Sequence, residues 1–139
     1  MANDYNSIAK FYDTLSRMVF QRSIVKAQQY LIGFISDNDK VLLIGGGTGW
    51  ILEEISKMKK QNISITYVEK SSAMINLSSK RNYTSVHVEF INKAVEEYDA
   101  PGKFDIIITP FLFDNFLTDK IKVVFAKLDS MMKQNGIWL

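Results

Sequence analysis

The chain has 139 residues, enough for one hydrophobic core and too few for two ordinary domains. Its 47% hydrophobic and 23% charged residues suit a soluble globular protein, and a net charge of +2 with ungathered basic residues gives no reason to expect nucleic acid. With no cysteine, disulfides and thiolate metal sites are excluded.

The opening "MANDYNSIAKF" is polar and lacks the apolar stretch of a secretion signal. "IIITPFLF" (Ile106–Phe113) is too short to span a bilayer, so the expectation is a cytoplasmic protein with no membrane partner. Leu15 to Ile35 reads as a long helix, with Phe20, Ile24, Ala27, Leu31 and Phe34 on one stripe and Arg22, Lys26 and Gln29 opposite. "SDND" (Ser36–Asp39) breaks it, and Val41–Ile44 is a buried strand. A helix follows from about Gly49 to Lys60, then a β-branched second strand, Ile63–Glu69.

Ser71 caps a helix over Ser72–Arg81. Ser85–Ile91 is the third strand, Ala94–Tyr98 a short helical or loop segment, and "APG" (Ala100–Gly102) a turn. Phe104–Thr109 is the fourth strand, stopped by Pro110. Thr118 caps a last helix with the stripe Ile121, Val124, Leu128 and Met131, and "QNG" (Gln134–Gly136) turns it into a fifth strand beginning "IWL". The basic clusters "KMKK" (Lys57–Lys60) and "SSKR" (Ser78–Arg81) each close a helix, where they complement its dipole.

Strands alternating with helices give an α/β fold: a Rossmann-like parallel sheet with helices on both faces. It is read as a single domain over residues 1–139, with N-terminal helices in 1–36 and the core in 40–139.

"VLLIGGGTGW" (Val41–Trp50) sets glycines directly behind a buried strand. A glycine in an element interior costs roughly 0.5–1 kcal/mol relative to alanine, so the backbone here either turns sharply or meets a ligand. In such sheets ligands sit at the carboxyl ends of the strands, near the reversal of strand order. The dinucleotide fingerprint G-x-G-x-x-G fails: counted from Gly45, its third glycine is Trp50. What stands instead is Gly45-x-Gly47-x-Gly49. Glu69 ends the second strand, 69 − 49 = 20 residues after the last of these glycines. A carboxylate there can accept hydrogen bonds from both vicinal hydroxyls of a ribose, although a purely structural turn and a solvated glutamate compete with that reading.

The Gly45-x-Gly47-x-Gly49 spacing resembles the first motif of class I S-adenosylmethionine (SAM) dependent methyltransferases, and "YVEKSSAMI" (Tyr67–Ile75) resembles their second. "FINKAVEEY" (Phe90–Tyr98) occupies the place of the adenine-facing loop, "KFDIIIT" that of the fourth strand, and "LDSMMKQNGIWL" that of the helix and turn into the fifth. "YNSIAKFYDTLSRMVF" (Tyr5–Phe20) is similar to the N-terminal helix of the ubiquinone and menaquinone biosynthesis methyltransferase group, whose A-x-x-Y-D segment, here Ala9–Asp13, packs over the cofactor.

The resemblance implies SAM as cofactor, a small-molecule methyl acceptor, and binding by Gly45, Gly46, Gly47, Thr48, Gly49, Glu69, Lys70, Met74, Asn92, Lys93, Ala94 and Thr109. Met74 would approach the adenine. Methyl transfer needs no nucleophilic side chain, and none is evident; Tyr12, Asp13 and Asp114 are the candidates for assisting an acceptor, with no metal. The sole histidine, His87, reads as structural, and Phe111, Phe113 and Phe116 suit either an apolar pocket or the core.

Three departures from the family stand out. Leu43 occupies a position usually acidic, Asn92 and Lys93 stand where an aspartate commonly meets the adenine, and the chain stops in the fifth of seven strands. An uncovered fifth-strand edge predicts self-association. A non-catalytic methyltransferase-like binding protein therefore stays open as an alternative, followed by an NAD(P)-dependent oxidoreductase, which Trp50 disfavours.

Overall fold

The computed structural model describes residues 23–110 and 112–139. Helix α1 occupies residues 23–32 of that range. It is followed by β1 (Lys40–Ile44), α2 (Trp50–Lys57), β2 (Ile63–Val68), α3 (Ser72–Ser78), β3 (Val86–Ile91), β4 (Phe104–Ile108), α4 (Thr118–Met131) and β5 (Met132–Trp138). Short 3-10 turns lie at Val95–Glu97 and Phe113–Asn115. All five strands pair in parallel in the order β3-β2-β1-β4-β5.

The sheet separates two apolar layers because successive side chains along a strand point to opposite faces. Val41, Leu43, Ile65, Tyr67 and Ile106 meet Ile32 and Ile35 from the α1 side and Ile51, Leu52 and Ile55 of α2. Leu42, Ile44, Val68 and Ile107 face the other way, onto Val95, Leu112 and the α4 residues Val124, Leu128 and Met131. The chain runs outward from β1 to β2 and β3, then crosses back to β4 on the other flank of β1. The reversal of strand order therefore falls at the carboxyl ends of β1 and β4, where open α/β sheets bind ligands.

Four local expectations change. The buried face of α1 is one residue out of register with the expected stripe: Ile32 and Ile35 are buried, while Leu31 and Phe34 are 37% and 52% exposed. Apolar residues occupy both registers, so periodicity alone does not choose between them; residues 15–22, including Phe20, lie outside the described residues. Helix α3 ends at Ser78 rather than Arg81. Thr118 lies inside α4, whose N-cap is Leu117 with no side-chain cap bond.

The fifth strand starts at Met132, before the Gln134–Gly136 turn. Pairing with β4 shifts between Phe104↔Met132 and Ile106↔Ile137, so the turn is carried inside the strand as an irregularity, with Asn135 at φ 67°. Lys133 Nζ donates to both carboxylate oxygens of Asp105, at 2.8 and 2.9 Å, and holds that irregular stretch to β4. Among the described residues no helix is long and apolar enough to cross a membrane.

Candidate functional site

The turn Gly45–Gly49 leaves β1 at the reversal point. The Gly45 N–H donates to the Val68 carbonyl at 3.1 Å, so β1 and β2 stay paired up to the turn. Gly45, Gly47 and Gly49 then take φ values of +68°, +59° and +78°. Gly46 is needed for a different reason: a Cβ there would lie 2.7 Å from the ring and hydroxyl of Tyr67. Tyr67 is fully buried in β2, and its hydroxyl donates to the Gly47 carbonyl at 2.7 Å. The phenol thus supports the turn from below.

Arg81 holds the turn from the side. Its Nε donates to the Thr48 carbonyl at 2.9 Å and its Nη2 to the Thr48 hydroxyl at 3.0 Å. The expectation that "SSKR" complements a helix dipole therefore changes: α3 has no basic residue in its last turn, and the Arg81 guanidinium reaches back to the glycine turn. Neither Tyr67 nor Arg81 was among the expected site residues. Neither a tyrosine 20 positions after a glycine nor an arginine 33 after a threonine gives a local signal; the β1–β2 pairing brings Tyr67 under the turn, and the segment after α3 brings Arg81 beside it.

Glu69 follows β2 and faces the same turn. Its Oε1 accepts from the Ser71 N–H at 2.8 Å. Burial pushes the carboxyl pKa up, partly offset by backbone hydrogen bonding and by the Lys70 charge. Asn92, just past β3, donates its side-chain amide to the carbonyls of Glu69 and Lys70, both at 2.9 Å. Ser71 caps α3 as expected, its hydroxyl accepting from the Met74 N–H at 3.3 Å. The structure therefore joins Glu69, Lys70, Ser71 and Asn92 in one hydrogen-bonded network.

The remaining expected residues lie around this network. Met74 is buried in α3, Lys70 and Lys93 are exposed, and Ala94 caps the Val95–Glu97 turn. Thr109 directly follows β4, donating its N–H to the Leu139 carbonyl at 3.3 Å. It lines a cavity of about 170 Å³ with Gln28, Leu31, Ile32, Ile51 and Leu139, among others. Leu43 is fully buried in the core, where it pairs with Tyr67 across the β1–β2 ladder. Asp114 is exposed in the Phe113–Asn115 turn, and His87 is exposed mid-strand in β3. Tyr12, Asp13 and Phe111 lie outside the described residues.

A parallel sheet with a glycine turn at its reversal point, and an acid from the neighbouring strand laid against that turn, defines a Rossmann-like α/β domain. Comparison with known proteins narrows the class. Residues 41–136 match a family described as a methyltransferase domain. The carboxy-S-adenosyl-L-methionine synthase of Nautilia profundicola is 33% identical over 93% of this chain and 56% of its own length. A malonyl-[acyl-carrier protein] O-methyltransferase of Priestia megaterium is 30% identical over 95% and 47%. DhpI in complex with SAH superposes with a TM-score of 0.79 at 18% identity, over 96% of this chain and 63% of that one. The chain belongs to the class I SAM-dependent methyltransferase family, and it spans about half the length of these two curated relatives.

Proposed function

We propose that this chain binds SAM through the Gly45–Gly49 turn and Glu69, and serves methyl transfer to a small molecule. The observation that carries the reading is the pairing of the end of β2 with the glycine turn: the Gly45 N–H donates to the Val68 carbonyl at 3.1 Å, one residue before Glu69. It sets a ribose-accepting acid and a bare main chain side by side. The residues fit the cofactor: the turn presents main chain bare of side chains at its four glycines, the acid suits vicinal hydroxyls, and the committed Asn92 amide nitrogen leaves its side-chain carbonyl for an adenine amino group. Lys70, Met74, Lys93, Ala94 and Thr109 would complete the contact surface.

SAM supplies an electrophilic methyl group on a sulfonium. What the protein must add is position and the exclusion of water, and no side-chain nucleophile is required. The cavity beside Thr109 suits an acceptor with an apolar portion, because Leu31, Ile32, Ile51 and Leu139 surround it, with Gln28 and Thr109 as polar groups. Tyr12 and Asp114 remain the proposed assisting groups.

A second reading draws on the relative from Nautilia profundicola, a carboxy-S-adenosyl-L-methionine synthase: formation of that compound in place of methyl transfer. Calorimetric titration with S-adenosylhomocysteine (SAH) and with NADH tests the ligand class. SAH binding is expected, and binding of NADH alone would overturn the assignment. Mass spectrometry of SAM turnover separates the two reactions, since accumulation of carboxy-S-adenosyl-L-methionine instead of SAH would favour the second. Binding of SAH without turnover of either kind would favour a non-catalytic binding module.

Isolated residues 1–139 are also expected to self-associate through β5. Ile137 is 38% exposed on that edge strand, and neighbouring Phe125, stacked on Trp138 with ring centroids 4.9 Å apart, is 48% exposed. Sedimentation equilibrium should show dimers or larger species that Ile137→Lys disperses. A monomer at high concentration contradicts this.

A further inference from the structure

We infer that Arg81 is a positioning residue for the cofactor site, acting through Thr48 to hold the glycine turn in its binding shape. This rests on the reading that the turn receives the cofactor. Glycine visits positive and negative φ with similar ease, so the segment containing Gly45, Gly46, Gly47 and Gly49 does not fix its own conformation. Its shape has to come from outside, and Thr48 is the one residue of the turn with a side chain to grip. Thr48 is 4% exposed, so water is a poor substitute for whatever grips it.

The Arg81 fork takes both handles of that residue. One N–H binds the carbonyl at 2.9 Å and another the hydroxyl at 3.0 Å, which fixes the Thr48 peptide plane and its side-chain rotamer together. A lysine ammonium, a point donor on a flexible stem, does not reproduce this planar two-point grip. Glu53 on α2 steadies the fork. Its Oε2 lies 3.7 Å from Arg81 Nη1, and its Oε1 accepts from the Asn82 N–H at 3.4 Å. With a carboxylate beside it and two donors on Thr48, the guanidinium serves here as a bracket and not as a charge aimed at the ligand.

The bracket also links two walls of the site. Arg81 ends the segment that runs from Glu69 through α3, and Thr48 sits in the glycine turn, so the contact fixes the acid's element against the turn. Movement of one wall relative to the other would separate the amides from the carboxylate by distances that hydrogen bonds do not tolerate.

The test is SAH calorimetry on Arg81→Lys, Arg81→Ala and Thr48→Val, with amide exchange of residues 47–49 measured in the unliganded proteins. Arg81→Ala should weaken SAH about tenfold and Arg81→Lys about fivefold. Thr48→Val should weaken binding, and adding it to Arg81→Ala should cost little more, because the hydroxyl contact it removes is already gone in Arg81→Ala. Exchange at residues 47–49 should quicken in Arg81→Lys. Folded Arg81→Lys with unchanged SAH affinity and unchanged exchange overturns the inference, as do fully additive losses in the double variant. If wild type itself fails to bind SAH, the cofactor reading fails, and the exchange measurement still decides whether Arg81 holds the turn.

Discussion

Glu69→Ala should raise the Kd for SAH about 100-fold, a loss of ~2.8 kcal/mol. Hydrogen bonds to a charged group are worth roughly 1.5–3 kcal/mol each, and a ribose offers two hydroxyls to one carboxylate; water at the truncated site recovers part of the sum. The effect carries a pH signature. Burial raises the Glu69 carboxyl pKa above its ordinary 4.5, so protonation begins at a higher pH than for a solvated glutamate. SAH affinity should therefore fall as pH drops through that raised value, and Glu69→Ala should lack this dependence.

In the unliganded protein the stability effect runs the other way. A raised folded-state pKa means that folding favours the protonated form, so the contribution of Glu69 is present at low pH and is lost as pH rises through the folded value. Calorimetric titrations and thermal melts of both proteins across the acidic range check both signs. An alanine variant that binds SAH as wild type does would remove Glu69 from the site.

Gly49→Ala should be the most damaging single-atom change in the turn, lowering stability by about 2–5 kcal/mol. The left-handed φ of +78° costs a side-chain-bearing residue roughly 1–2 kcal/mol. The new Cβ would also lie 2.4 Å from the Cβ of Ser78 and 2.9 Å from its Cα, and relieving such an overlap costs about 1–3 kcal/mol. A fall in Tm of roughly 10 °C follows for a domain of this size. Gly102→Ala is the control. Gly102 has φ +59°, but a Cβ there would meet nothing within 4 Å, so only the backbone cost applies. Equal melting temperatures for the two variants would contradict the close packing of α3 on the turn.

Where the sequence carries a short-range signal, it reads correctly. The runs Val41–Ile44, Ile63–Glu69 and Ser85–Ile91 hold strands β1, β2 and β3, and Ser71 became a cap. The glycine turn and Glu69 lie side by side because parallel strands place their ends at one edge. What failed to show was whatever depends on the third dimension. Leu31 and Phe34 against Ile32 and Ile35 is a choice between two apolar registers, made by the sheet surface that α1 meets. Thr118 has the chemistry of a cap but sits one residue inside the helix. Tyr67 reads as a core aromatic in a strand, and only its position under Gly46 and Gly47 makes it a support for the turn. The polar role of Arg81 was hidden by its place in a basic cluster at a helix end.

The most direct measurement is a crystal structure of the chain with SAH. The account predicts the ligand's ribose hydroxyls within hydrogen-bond distance of the Glu69 carboxylate, and the rest of the ligand lying along the main chain of Gly45–Gly49. SAH seated elsewhere, with Glu69 turned to solvent and the turn covered by the protein's own side chains, would contradict it.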